Sequence, residues 1–314
     1  MRPSGKGILA VIVAALISFS SPAVPIASGS TLKPSGFPVT LKLADGTFTF
    51  KTRVDAVVSL SPTATEMLYA IGAGPQVRAV DSYSDYPPNA PRTTLNGFDP
   101  NVEAIAKYHP DLVVVATDSA GFNTQMAALK IPVVYDPAPA TLAQAYAQYT
   151  DLGIATGHSA QATREVSYIK AKIAHIVATT RRVPRGTTYY YELDPTYYSI
   201  TSATFIGRLL GLLGLRSIAD SAKGIAASGG YPQLSAEFIL KSNPTYIFLA
   251  DTLCCKATPA SVAARPGWST LSAVKDHRVV PLNDDIASRW GPRITVLLQD
   301  VANAINNTKV PAAA

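Results

Sequence analysis

Four aromatic residues, Tyr83, Phe98, Tyr191 and Tyr231, fall at strand ends or just before helices in both halves of this 314-residue chain. Strand-end loops are where α/β sheets present ligands. Aromatic faces hold large flat molecules, so these rings are candidate ligand contacts; the plainer reading is that they cap the edges of the core. Tyr197 and Tyr198 lie in the same part of the second half, and one of them is a further candidate. Asp285 and Arg289 are one helical turn apart after a predicted strand ending at Leu282. On a surface such an ion pair is worth little. Glu103 and Glu237 each fall in the first turn of a predicted helix, where a carboxylate complements the helix dipole by about 0.3–1 kcal/mol.

Other chemistries are poorly represented. The chain has no G-x-S-x-G elbow, P-loop or dinucleotide fingerprint. Ser61 follows a strand, but no histidine stands in a recognisable partner context, so an enzyme is not expected. The histidines, His109, His158, His175 and His277, are dispersed rather than clustered as metal ligands. Neither a metal site nor a cofactor of the protein's own is therefore expected. Cys254 and Cys255 are the only cysteines. They form either a strained vicinal disulfide or two free thiols, and with no activating histidine nearby they are expected to shape a loop rather than to catalyse.

These residues need a scaffold, and the chain writes part of it twice. Residues 101–116, Asn-Val-Glu-Ala-Ile-Ala-Lys-Tyr-His-Pro-Asp-Leu-Val-Val-Val-Ala, return without a gap at 235–250 as Ser-Ala-Glu-Phe-Ile-Leu-Lys-Ser-Asn-Pro-Thr-Tyr-Ile-Phe-Leu-Ala. Glu103 falls on Glu237, Ile105 on Ile239, Lys107 on Lys241 and Pro110 on Pro244. Each copy reads as a polar N-cap, a short helix, a proline stop and a buried strand. A repeated helix–strand unit implies two similar α/β lobes, and two facing lobes make a cleft.

The remaining pattern agrees. Residues 37–50 read as a hairpin with Ala44-Asp45-Gly46 at its turn. Strands are predicted at Val54–Leu60, Val77–Val80, Leu112–Ala116 and Ile131–Tyr135, alternating with helices that begin at Ser61-Pro62, Asn101 and Phe122. Alternation of this kind argues a parallel sheet. From Thr141 a helix runs to Ile154, breaks at Gly157, and gives way to an uninterrupted helical stretch from Ser159 to Ala178. With no Pro or Gly inside it, that stretch is predicted to be one long rigid bridge. The second half offers strand Thr187–Glu192, helix Phe205–Leu213, the second repeat copy, an irregular stretch at 251–267, strand Arg278–Leu282 and helix Pro292–Ile305. The predicted fold class is α/β: two Rossmann-like lobes with mostly parallel sheets, joined by one long helix, with a ligand cleft between them. The predicted divisions are a signal peptide (1–27), an N-terminal lobe (28–150), the bridge (151–182), a C-terminal lobe (183–307) and a tail (308–314).

The amino terminus carries Arg2 and Lys6, an apolar run from Ile8 to Phe19, and then small residues and prolines to Ser30. That order reads as an export signal, and the run is short for a span of about 20 residues. No cysteine lies near it. The expectation is an exported, monomeric protein, periplasmic or associated with the cell envelope, without a lipid-anchor cysteine. The formal charge of +6 is scattered, and no basic run with interleaved aromatics suggests nucleic acid.

Val57-Val-Ser-Leu-Ser-Pro-Thr-Ala-Thr-Glu-Met-Leu, Ser82-Tyr-Ser-Asp-Tyr-Pro-Pro and the paired segments Asn101-Val-Glu-Ala-Ile and Ser235-Ala-Glu-Phe-Ile together resemble class III periplasmic substrate-binding proteins of ABC importers. The resemblance covers nearly all of residues 53–305. It implies two α/β lobes joined by one long helix. It also implies capture of a metal chelate (a corrinoid such as cobalamin, or a ferric siderophore or haem) for delivery to an ABC permease dimer. Under it, Asp285 and Arg289 match ligand-touching positions of cobalamin-binding relatives, and Arg289 or Arg293 could instead meet the carboxylates of an anionic chelate. Glu103 and Glu237 match the helices that dock on arginine clusters of a permease. The alternatives are a direct metal-ion-binding member of the same superfamily and a secreted α/β hydrolase.

Overall fold

Val57–Leu60 (β3), Val-Val-Ser-Leu, is mostly apolar and buried on both faces, as a central parallel strand must be. It ends at Ser61, whose Oγ accepts the Ala64 amide hydrogen and caps helix α1 (Pro62–Ala70). Pro62 suits that first turn because the amide hydrogen it lacks would find no helical partner there. The structure, a computed structural model, describes residues 36–43, 46–117 and 121–307. The predicted signal peptide, the Ala44-Asp45 turn residues and the tail after Asn307 lie outside the described residues.

The first sheet contains β3, β4 (Val77–Val80), β5 (Leu112–Val115) and β6 (Val133–Tyr135), in the order β4-β3-β5-β6 and all parallel. Helix α2 (Val102–Ala106) feeds β5, and α3 (Phe122–Ala128) feeds β6. Ahead of them, β1 (Val39–Leu43) and β2 (Gly46–Phe50) pair antiparallel as the predicted hairpin. The chain then enters α4 (Leu142–Thr156), which opens on a capping box between Thr141 and Gln144 and closes at Gly157, φ +74°. The left-handed backbone there favours glycine. Helix α5 follows from Ser159 to Thr179.

The second sheet contains β7 (Thr188–Glu192), β8 (Arg216–Ser217), β9 (Tyr246–Leu249) and β10 (Val279–Pro281), in the order β10-β9-β7-β8 and again all parallel. Helix α6 (Phe205–Gly211) lies between β7 and β8, and α7 (Ala236–Ser242) feeds β9. Short helices α8 (Pro259–Ala263), α9 (Ser272–Lys275) and α10 (Asp284–Ala287) lead to α11 (Ile294–Asn307). Within each sheet the first strand in the chain lies between the second and the third, with the fourth outermost. The repeated segments are therefore α2–β5 and α7–β9, the third strand of each lobe. Helix α8 departs from the irregular stretch expected at 251–267. Thr258 and Ser261 form a capping box around Pro259, with serine in the place usually held by glutamate or glutamine.

Successive strand side chains point to opposite faces, and the alternation divides the core. Val57, Leu112, Val114, Tyr189, Tyr191, Tyr246 and Phe248 face one continuous apolar cluster that also takes in Met67, Leu152, Ile169, Ile173 and Leu297. Val58, Val113 and Val115 face a second cluster on the outer side of the first sheet. Tyr190, Ile247 and Leu249 face a third, around Trp268, on the outer side of the second. Residues of α1, α4, α5 and α11 thus form an inner helical layer whose core belongs to both lobes.

A candidate ligand cleft between the lobes

The carboxyl edges of β3, β4 and β5 supply Leu60, Ser61, Asp81, Ala116 and Thr117 to one wall of a cleft of about 550 Å³. The opposite wall is Asp284, Asp285, Ser288, Arg289 and Trp290, from α10 and the residues after it. Asn283 starts α10 by accepting the Ile286 amide hydrogen on its side chain. One carboxyl edge faces the start of a helix that follows another, the place where open α/β sheets bind ligands.

The first wall is closely built. Asp81 is buried and accepts the Ser84 hydroxyl at 2.5 Å. Ser84 is in turn 3.0 Å from the Thr65 hydroxyl, which donates to Ser59 Oγ at 2.9 Å. Burial raises the Asp81 carboxyl above its ordinary value, opposed by the Ser84 hydrogen bonds and by Arg289. A Cβ at Gly97 would stand 2.5 Å from the Leu60 carbonyl oxygen and 2.7 Å from Asp81 Oδ2. Only glycine lets that loop lie against the strand ends. The next residue, Phe98, is 71% exposed and meets Tyr83, 57% exposed, edge-on with ring centroids 5.9 Å apart. The two rings form an aromatic shelf on the cleft wall.

Arg289 ties the walls together. Its guanidinium donates to Glu66 Oε1 at 3.0 Å, to the Tyr83 carbonyl at 3.0 Å and to Asp285 Oδ1 at 2.7 Å. It also lies 3.3 Å from Asp85. Arg293 donates to both oxygens of Glu66, at 2.6 and 2.9 Å, and lies over the Tyr86 ring at 4.1 Å. Burial alone would weaken the Arg293 guanidinium, but the Glu66 hydrogen bonds and charge hold it above its ordinary value. Trp290 donates to Gln148 Oε1 at 2.8 Å and adds a further link. At Asp285 burial raises the carboxyl, with Arg289 pulling it back.

Tyr83, Phe98, Asp285 and Arg289 are therefore brought together as the sequence suggested. Tyr191 is not, and its proposed ligand contact is corrected. It lies inside β7 with the parity of Tyr189, so its ring stands perpendicular to the sheet in the shared core, fully buried, and its hydroxyl donates to the Ala287 carbonyl at 3.0 Å. Tyr231 is exposed, on a loop beside the Tyr198–Gln233 bridge, and is not among the residues lining this 550 Å³ space. Tyr197 stacks on Trp268 at 5.7 Å. The Asp285–Arg289 pair is not the weak surface pair that its spacing allowed, because Arg289 is buried. Arg289 and Arg293 are both engaged by Glu66.

Sequence reasoning missed Glu66, Asp81, Asp284 and Trp290. Glu66 had a signal: a charge on the buried side of α1 needs a partner, although its partners lie in the other lobe. Among the described residues no group of three or more His, Cys, Asp or Glu side chains is placed to hold a metal. No helix among them is long and apolar enough to cross a membrane.

Comparison with known proteins fits this geometry. The chain is 28% identical over 312 residues to an uncharacterised ABC transporter substrate-binding lipoprotein, YvrC, of Bacillus subtilis, covering 95% of this chain and 96% of that one. It is 27% identical to a cobalamin-binding protein of Halobacterium salinarum, covering 98% and 86%. Among solved structures, a possible iron-binding periplasmic protein of Staphylococcus epidermidis superposes with a TM-score of 0.68 at 25% identity, covering 81% and 99%. The vitamin B12-binding protein BtuF of Vibrio cholerae superposes with a TM-score of 0.66 at 24% identity, covering 80% and 96%. That the Bacillus relative is a lipoprotein overturns the expectation of an exported protein without a lipid anchor. The family model described as periplasmic binding protein matches residues 57–286, most of the chain, and this protein belongs to that family.

Proposed function

We propose that this chain captures a corrinoid in the inter-lobe cleft and hands it to the permease of an ABC importer without chemically changing it. The observation that carries the reading is the charge of the cleft. Among the described residues its lining holds Asp81, Asp284 and Asp285 against a single cation, Arg289, which is already engaged by Glu66, Asp285 and the Tyr83 carbonyl. A haem brings anionic propionates, and most ferric siderophores are anionic, so both would meet a lining in which carboxylates outnumber the guanidinium. A corrinoid brings amide side chains that donate hydrogen bonds and a positively charged metal, with a flat face for the Tyr83–Phe98 shelf. The cobalamin-binding relative, aligned over nearly the whole chain, supports the same class. Calorimetry of the purified protein against cyanocobalamin, haem and ferric siderophores tests it. Preference for cyanocobalamin by at least about tenfold, equivalent to about 1.4 kcal/mol, is expected. Tighter binding of haem, or no binding by any of the three, would overturn the ligand assignment.

Delivery rests on Glu103 and Glu237. Both are exposed, in the first turns of α2 and α7. Each helix runs antiparallel to the strand it feeds, so its start lies at the carboxyl edge of its own sheet. The Glu237 carboxyl is held below its ordinary value by hydrogen bonds from its own backbone and from Ser235, which keeps it charged. One carboxylate from each equivalent half suits a permease dimer that offers two equivalent basic patches.

A further inference from the structure

The loop between β9 and α8 is wound around Asp284. The Asp284 carboxylate accepts the Leu253 amide hydrogen at 2.9 and 3.0 Å, the Cys254 amide hydrogen at 2.8 Å and the Thr252 hydroxyl at 3.0 Å. Thr252 also lies 2.6 Å from the Leu282 carbonyl oxygen. Cys254 and Cys255 are both free and both exposed. Cys255 and the Asp284 carboxylate both act on the Cys254 thiol and raise it above its ordinary value. Two adjacent, exposed thiols therefore sit on a loop whose anchor is a cleft residue, and ligand capture uses neither of them.

Backbone geometry sets what those thiols can form. Consecutive Cα atoms lie about 3.8 Å apart across a trans peptide, whereas ordinary disulfides span about 4.4–6.8 Å. A bond between neighbours closes a strained ring and must twist the peptide that joins them. Lys256, the next residue, is already in the left-handed region at φ +59°, so the loop has little slack to absorb the twist. Strained, exposed disulfides are the readily reduced ones. Ring closure resets ψ of Cys254 and φ of Cys255, the torsions on either side of that peptide; the Cys255 amide is held by the Asp251 carbonyl at 3.2 Å, so the change in ψ redirects the Cys254 amide that now points at Asp284.

We propose that Cys254 and Cys255 form a reversible dithiol modification site, closed to a vicinal disulfide by exchange with a small disulfide such as oxidised glutathione, and that closure detaches the loop from Asp284 on the cleft wall. Burial pushes the Cys254 thiol up to about 12, with Cys255 and Asp284 adding to the rise, so the first attack falls to Cys255. Its thiolate attacks one sulfur of the small disulfide, whose S–S bond breaks and releases one thiolate. The Cys254 sulfur then loses its proton to water and attacks the Cys255 sulfur of the mixed disulfide, expelling the second thiolate. The two protons given up by the cysteines end on the two leaving thiols. Two cysteine thiols are oxidised by two electrons, and one small disulfide is reduced to two thiols.

The test equilibrates the full chain in glutathione redox buffers, traps free thiols by alkylation, and reads the peptide containing both cysteines by mass spectrometry. The expected product has lost two hydrogens, carries no glutathione and is restored by reduction. Hydrogen exchange of the Leu253 and Cys254 amides should accelerate at least about tenfold on oxidation. Cys255→Ser should retain slow exchange under the same oxidant, as should Cys254→Ser, whose hydroxyl can still reach Asp284. Glutathione adducts or cross-linked pairs of chains as the only products would overturn the site. An intramolecular disulfide with unchanged amide exchange would overturn its coupling to the cleft. Neither readout requires a bound ligand.

Discussion

Replacing Glu66 with glutamine tests whether the two lobes are locked by a buried charge cluster. Glu66 lies in α1 with its side chain 0% exposed, and it accepts three hydrogen bonds, at 2.6, 2.9 and 3.0 Å, from Arg293 and Arg289 of the other lobe. Glutamine keeps the volume but removes the charge, and its amide nitrogen would face a guanidinium. Breaking a buried pair by removing one partner costs about 3–5 kcal/mol. The lower end applies here, because Arg289 keeps Asp285 and Asp85 and the arginine side chains are 10% and 17% exposed. A loss of about 3 kcal/mol corresponds to a fall in Tm of about 5 °C for a chain of this size. Calorimetric melting and denaturant titration at fixed pH and salt measure it. The double variant Glu66→Leu/Arg293→Met should recover part of the loss, since replacing a buried pair by apolar residues is often neutral. A Glu66→Gln protein within about 1 kcal/mol of the parent would refute the claim that this cluster locks the lobes.

Four further outcomes are expected. Tyr83→Ala should weaken cyanocobalamin binding by about 2 kcal/mol, or about 30-fold, and a change below threefold would take the aromatic shelf out of the site. Small-angle scattering with and without ligand should nearly superimpose, because α5 is continuous from Ser159 to Thr179 and the lobes share one apolar core; a marked contraction on binding would contradict that rigidity. Asp136 is buried with one carboxylate oxygen lacking a hydrogen-bond partner, and its carboxyl is raised by burial, and secondarily by Asp151, to about 7. The folded state thus holds a proton that the unfolded chain releases near pH 4, so stability falls as pH rises from about 4 to about 7. Asp136→Asn should abolish that change of roughly 4 kcal/mol, and an unchanged profile in denaturant melts would refute it. Finally, Glu103→Lys/Glu237→Lys should retain ligand affinity yet lose uptake in cells carrying the cognate importer, since charge pairing sets orientation and encounter; normal uptake would leave these residues as helix-end charges.

Local grammar carried much of the fold. Asn101 and Ser235 cap their helices as their types required, Gly157 takes the left-handed turn between α4 and α5, and the repeat at 101–116 and 235–250 became the third strand of two sheets with the same order. These features depend on neighbours a few residues apart, so the chain states them directly. The aromatic residues divide on the same ground. Tyr83 and Phe98 sit in loops, where no strand parity restrains them. Tyr191 sits inside β7, where alternation with Tyr189 and Tyr190 sends it into the shared core; strand parity was readable, but which sheet face the helical layer covers was not.

The capture of Arg289 and Arg293 by Glu66 was decided in three dimensions, across 223 residues of chain in the case of Glu66 and Arg289. No spacing rule links a helix of one lobe to a turn of the other. The same holds for Asp284, which meets the cysteine loop only because β9 and β10 are neighbours in the sheet. Periodicity, caps and repetition determined which elements form, because they act over a few residues. Burial and electrostatic pairing, which act through space between segments brought together by folding, determined which side chains face the cleft and which hold it in shape.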